Sequence, residues 1–76
     1  MKELLEVIAK HLVDDPDSVS VSETDRDGAI LLELKVASDD MGKVIGKQGR
    51  IAKAIRTVVK ASAIHGDKRV TVEIVQ

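Results

Sequence analysis

A chain of 76 residues has room for one domain and none for a second, and 43% hydrophobic with 33% charged residues excludes a disordered chain. The absence of cysteine excludes disulfides and thiolate metal sites, and with no Phe, Trp or Tyr the core must be built from Val, Ile, Leu, Ala and Met. The net charge of -1 hides an uneven distribution. No acid falls between Met41 and Gly66, where Lys43, Lys47, Arg50, Lys53, Arg56 and Lys60 lie, so that segment is +6 and the remainder, six bases against thirteen acids, is -7.

From Met1 to about Asp14 the pattern is helical, with Leu4, Leu5, Ile8, Leu12 and Val13 on one stripe and Lys2, Glu3, Glu6 and Lys10 off it. Charged interruptions make this segment neither a signal-peptide core nor a membrane span, and a cytoplasmic location is the expectation. Asp14-Asp15-Pro16-Asp17 ends the helix, because proline disfavours α geometry in the residue before it. His11 has no partner in reach by sequence for a functional role and reads as a surface residue. Ser18 to Thr24 alternates as a half-buried strand with Val19 and Val21 on one face, and Asp25-Arg26-Asp27-Gly28 is a hairpin turn. Ala29 to Val36 is the second strand, with Ile30, Leu32, Leu34 and Val36 inward.

Ser38 is placed to cap a short helix over about Asp39 to Val44, with Asp39 and Asp40 set against its dipole. Then comes Gly46-Lys47-Gln48-Gly49. Two glycines three apart allow a sharp turn and leave the main chain bare, and Arg50 opens a helix expected to run to Ile64 and stop at Gly66. Amides at a helix start, an uncovered backbone and flanking cations form an anion site, which suits the phosphates of a nucleic acid. On this helix Ile51, Ile55, Val58 and Ser62, with Val59 beside them, predict the buried face, while Arg50, Lys53, Arg56 and Lys60 predict a single-sign basic stripe opposite. Arg69 to Val75 closes the chain as a strand with Val70, Val72 and Ile74 on one face. The whole reads as an α+β two-layer sandwich of three strands with helices on one face.

That element order, with a Gly-x-x-Gly loop between the two middle helices, resembles a type II KH domain. The run from Met41 to Arg56 is similar, almost residue for residue, to the small bacterial single-domain KH proteins of the KhpA (YlqC-like) family, and the likeness extends over essentially the full chain. A bare Gly-x-x-Gly is a weak signal; Val-Ile-Gly-Lys-x-Gly followed by Ile and Ala at helical spacing is a strong one. The chain departs at Ser38, where the family pattern leads one to expect proline, and it has no aromatic ring on which a base could stack.

The resemblance implies an α-β-β-α-α-β KH domain over residues 1–76 that binds single-stranded RNA with low sequence specificity, as an RNA chaperone or post-transcriptional regulator linked to cell-envelope physiology and cell shape. In such domains the loop clamps the backbone of about four nucleotides and the bases lie between the helices and a strand edge. Carried onto this chain, Gly46 and Gly49 admit the phosphates, Lys47 and Gln48 flank them, and Lys43, Arg50, Lys53 and Arg56 form the positive track. Val44, Ile45 and Ile51, with the second strand around Leu34 to Val36, are the expected groove wall. The resemblance further implies a homodimer, or a heterodimer with a second KH protein of the KhpB kind.

An enzyme lacks its inventory here: no cysteine, and His11 and His65 in different elements without metal-ligand spacing. His65 beside Gly66 is more simply a partner for a helix C-terminus. A P-loop needs four residues between its glycines, and Gly42 to Gly46 has three. No catalytic residue, cofactor, metal, membrane contact or small-molecule substrate is expected. The competing reading is a KH-fold dimerisation or scaffold subunit whose RNA contact depends on a partner; a small aliphatic core that a second copy would supplement supports it. Against it stands the loop, since a scaffold needs neither Gly46, Lys47 and Gly49 nor six uncompensated cations.

Overall fold

The computed structural model describes residues 2–62 and 69–75. The expected helix end at Ile64, the stop at Gly66 and the role of His65 lie outside these residues. Helix α1 spans Lys2–Leu12, buries Leu5 and Ala9 and half-buries Leu4, Ile8 and Leu12, as the stripe predicts. Its last helical bond runs from Val13 N to Ala9 O at 3.2 Å, and the exposed His11 donates through Nδ1 to the Val7 carbonyl at 2.8 Å. Pro16 then opens a single 3-10 turn, Pro16–Ser18, with Asp15 held at φ -117°, ψ 77°, outside the helical region that a following proline disfavours.

Strands β1 (Ser20–Arg26) and β2 (Ala29–Lys35) pair antiparallel, from Ser20 opposite Lys35 to Arg26 opposite Ala29. The turn needs only two residues, Asp27 at φ 51° and Gly28 at φ 83°, both left-handed as the twist of a tight hairpin demands. Pairing therefore continues two residues past the expected end of β1 at Thr24. Strand β3 (Arg69–Val75) lies parallel to β2 on its other side, giving the order β1-β2-β3 and making β2 the central strand.

Val21, Ile30, Leu32, Leu34, Val70 and Val72 are buried on one sheet face and alternate with Ser22, Thr71 and Glu73, which are exposed. Leu32, with no exposed surface, is at the centre of this layer, and each such side chain contributes about 1.5–3 kcal/mol by leaving water. Helices cover this face alone. Helix α2 (Met41–Ile45) sends Val44 into the core, and α3 (Arg50–Ser62) buries Ala52, Ile55 and Val59.

Two expectations are corrected here. Ser38 does not cap α2: Ser38–Asp40 forms a 3-10 turn flanked by Ala37, no side-chain cap bond is made, and α2 begins only at Met41. Asp40, rather than facing a helix dipole from solvent, is buried. The buried face of α3 is also turned by about 50° from the expected stripe, at roughly 100° per residue. Ile55 and Val59 are buried as expected, but Val58 and Ser62 are exposed and Ala52 is buried in their place. Ile51, Ala52, Ala54, Ile55, Val58 and Val59 form an apolar arc wider than the sheet can cover, and periodicity does not choose which half faces it.

Candidate nucleic-acid interface

The loop takes its shape from backbone conformations that most residues avoid. Gly46 sits at φ 74°, ψ 175°, a region that is essentially glycine-only. Gln48 at φ 57°, ψ 23° and Gly49 at φ 73° are both left-handed. Gly46 is required twice over, because a Cβ there would lie 2.6 Å from Cγ1 and 2.9 Å from Cβ of Ile51. A Cβ on Gly49 would meet nothing within 4 Å, so that position needs only its conformation.

Internal bonds hold the turn: Gly46 N donates to Gly42 O at 2.9 Å, Gly49 N to Gly46 O at 3.2 Å, and Arg50 N to Lys47 O. The amides of Lys47 and Gln48 have no protein acceptor among the described residues. Two amides unpaired among the described residues, in a positive-φ turn at the start of a 13-residue helix with the positive end of the α3 dipole behind them, are an arrangement suited to an anion.

The surrounding cations divide into three kinds. Lys47 and Lys53 are exposed and unpaired among the described residues, and Arg50 meets only the neutral Gln48 Oε1 at 3.4 Å, so all three keep their charge for an external anion. Arg56 is also exposed, but its Nε donates to the Val72 carbonyl at 3.2 Å, which holds the guanidinium at the open edge of β3.

Lys43 is compensated, contrary to expectation. Its Nζ lies 2.7 Å from Asp14 Oδ2 and 3.1 Å from Asp40 Oδ1. The hydrogen bonds it donates to these two carboxylates raise its pKa above the ordinary lysine value, against an opposing effect of partial burial. For Asp40, shielding from water pushes the carboxyl up, but the Asp14 and Asp15 amides and the Lys43 ammonium outweigh it and leave the pKa below the usual carboxylate value. Both acids lie outside the Met41–Gly66 segment, so the sequence window that isolated the cations concealed the pairing.

The expected groove wall changes as well. Val44 has no exposed surface, and Leu34 and Val36 are buried, the first of them in the central strand, which offers no edge. None of the three is reachable from the surface. Ile45 is 37% exposed and Ile51 half-buried, so these two remain beside the loop. The accessible strand edge next to α3 belongs to β3, a feature hidden from a reading that knew three strands but not their order.

A shallow apolar groove runs between α1 and α3, lined by Leu4, Ile8, Leu12, Ile51, Ala54, Ile55 and Val58, with Arg50 of the cationic set also in its lining. Val58 is 46% exposed at its rim.

The family model described as KhpA/KhpB, KH domain, matches residues 2–74. The chain is 69% identical over 75 residues to the RNA-binding protein KhpA of Clostridium acetobutylicum, covering 99% of this chain and all of that protein. It is 67% identical over the same length and coverage to that of Clostridium perfringens, and 47% identical over 76 residues, the whole of both chains, to that of Listeria monocytogenes serovar 1/2a. A match over nearly every residue, on an α-β-β-α-α-β frame with its Gly-x-x-Gly turn in place, means that the chain belongs to the KhpA/KhpB family of KH domains.

Proposed function

We propose that residues 1–76 act as one KH module that binds single-stranded RNA through its backbone, without catalysis and in the cytoplasm. The observation that carries this reading is the Gly46–Gly49 turn, where the Lys47 and Gln48 amides are unpaired and Lys47, Arg50 and Lys53 are free to meet phosphates. The names of the relatives, RNA-binding proteins, support it. Phosphates seat on the loop amides, the three cations neutralise them, and Ile45 and Ile51 offer an aliphatic surface to the bases. Arg56 at the β3 edge is the remaining polar contact. With no aromatic ring for stacking, affinity is modest and sequence preference slight, which suits an RNA chaperone or post-transcriptional regulator.

The test is binding of a short single-stranded RNA followed by fluorescence anisotropy. A Lys47→Asp, Gln48→Asp double variant loses binding and keeps its helical circular dichroism, since both side chains are exposed. Retained binding would refute the loop as the contact.

A second reading is favoured by the apolar groove between α1 and α3: pairing with another KH chain, a second copy or a KhpB-like partner. Apolar side chains such as Val58 at the rim gain from being covered. The loop amides lie outside the groove lining, but Arg50 and Ile51 belong to both surfaces, so a partner in the groove would sit beside the bound RNA.

A further inference from the structure

Asp40 is the only buried polar residue among those described, 2% exposed, and the phosphate-binding reading gives it no task. Its Oδ1 accepts from Asp14 N at 3.2 Å and from Lys43 Nζ at 3.1 Å, and its Oδ2 accepts from Asp15 N at 3.1 Å. The two amides are those that follow the last helical bond of α1, so this carboxylate closes the end of one element while standing at the start of α2. Lys43 completes a ring by also reaching Asp14 Oδ2.

We propose that Asp40 is a positioning residue for the Gly46–Gly49 loop, fixing the direction of α2 and hence the aim of the loop amides, with Lys43 a strut in the same tie rather than a phosphate ligand. The inference rests on the RNA-binding reading for its consequence, but its geometry stands apart from it. Five residues make α2 about 7 Å long, too short to hold its own direction through internal hydrogen bonds. Val44, buried in the core, and Met41, half-buried against it, hold one face of α2 on the core. The Asp40 tie adds a polar anchor at its N-terminus, to the end of α1. Whatever α2 does is passed to the loop by the bond from Gly46 N to Gly42 O at 2.9 Å. Lys43, shared between two carboxylates, brings no net positive charge to the surface.

The experiment compares the full chain with D40N, K43Q and K47Q, reading affinity for a ten-nucleotide oligouridylate against salt, and the amide resonances of Gly46 to Gly49 in the free protein. Charge alone and positioning predict opposite signs for D40N. Removing a negative charge should tighten RNA binding by simple electrostatics; loss of the tie weakens it, by at least about threefold, and shifts the loop amides. K47Q lowers the log-log salt slope by about 0.7, one single-strand phosphate, whereas K43Q leaves it unchanged. If D40N does not fold, D40E, which keeps the charge but displaces the carboxylate, is held to the same readouts. D40N binding as tightly as the native chain or tighter, with loop amides unmoved, overturns the proposal. If the native chain binds no RNA, that reading falls, and the amide shifts alone decide: displaced resonances support the tie, unmoved ones refute it.

Discussion

The four residues of the loop are not equivalent, and the difference predicts which substitutions matter. Gly46 combines a glycine-only conformation with a Cβ position filled by Ile51, so Gly46→Ala is expected to cost about 1–3 kcal/mol of stability and to weaken RNA binding. Gln48 is the reverse case, a left-handed residue with a side chain. Gln48→Gly relieves about 1 kcal/mol of strain, set against a similar entropic cost of glycine, so urea unfolding should show a change near zero. A Gly46→Ala variant as stable as the native chain would mean that the loop relaxes freely. At this scale the sequence was informative: glycines three apart announced the turn. It could not report that Gln48 shares the left-handed conformation, because nothing in a glutamine side chain signals it.

At the scale of elements, the β1–β2 hairpin was legible because Asp27-Gly28 marks its turn and β2 alternates, although β1 runs from Ser20 to Arg26, two residues later than the expected Ser18 to Thr24. The α3 face was not, because the apolar arc is wider than one contact and only the packed sheet selects between its halves. The tie joining α1 to α2 was also beyond the sequence, since Asp14 and Lys43 are far apart in the chain and Asp40 resembled an ordinary first-turn acid. That tie makes stability depend on pH at both ends. Asp40 has its pKa lowered from 3.8, so its contribution is complete above that value and is lost as pH falls through the lower folded-state value. Lys43, raised from 10.5, contributes fully below that value and loses its part as pH climbs through the higher one. Denaturant titrations should therefore find D40N less stable than the native chain at neutral pH and the difference closing below about pH 4, the ordinary range of an aspartate. A gap that did not narrow at all as pH falls below about 4 would show that the carboxylate charge is not what holds the turn.

For the whole molecule, the segregation of charge survives folding in reduced form. Lys47, Arg50 and Lys53 gather at the loop, Arg56 stands at the β3 edge, and Lys43, though exposed, has its charge compensated by acids brought in from α1's end and the turn before α2. The apolar groove between α1 and α3 adjoins this cluster and shares Arg50 with it. If it pairs with another KH chain, Val58→Glu should shift the native mass measured by light scattering toward a monomer while leaving circular dichroism intact, because Val58 is half exposed in the single chain. An unchanged association state would place the contact on another surface. The central claim, that an uncovered backbone turn clamps phosphates, is tested most directly by the salt dependence of single-stranded RNA binding, the native chain beside the Lys47→Asp, Gln48→Asp variant. Contact with about three to four phosphates predicts a log-log slope between about -2 and -3 for the native chain, with no measurable binding by the variant. A slope near zero, or a variant that binds as the native chain does, would contradict the account.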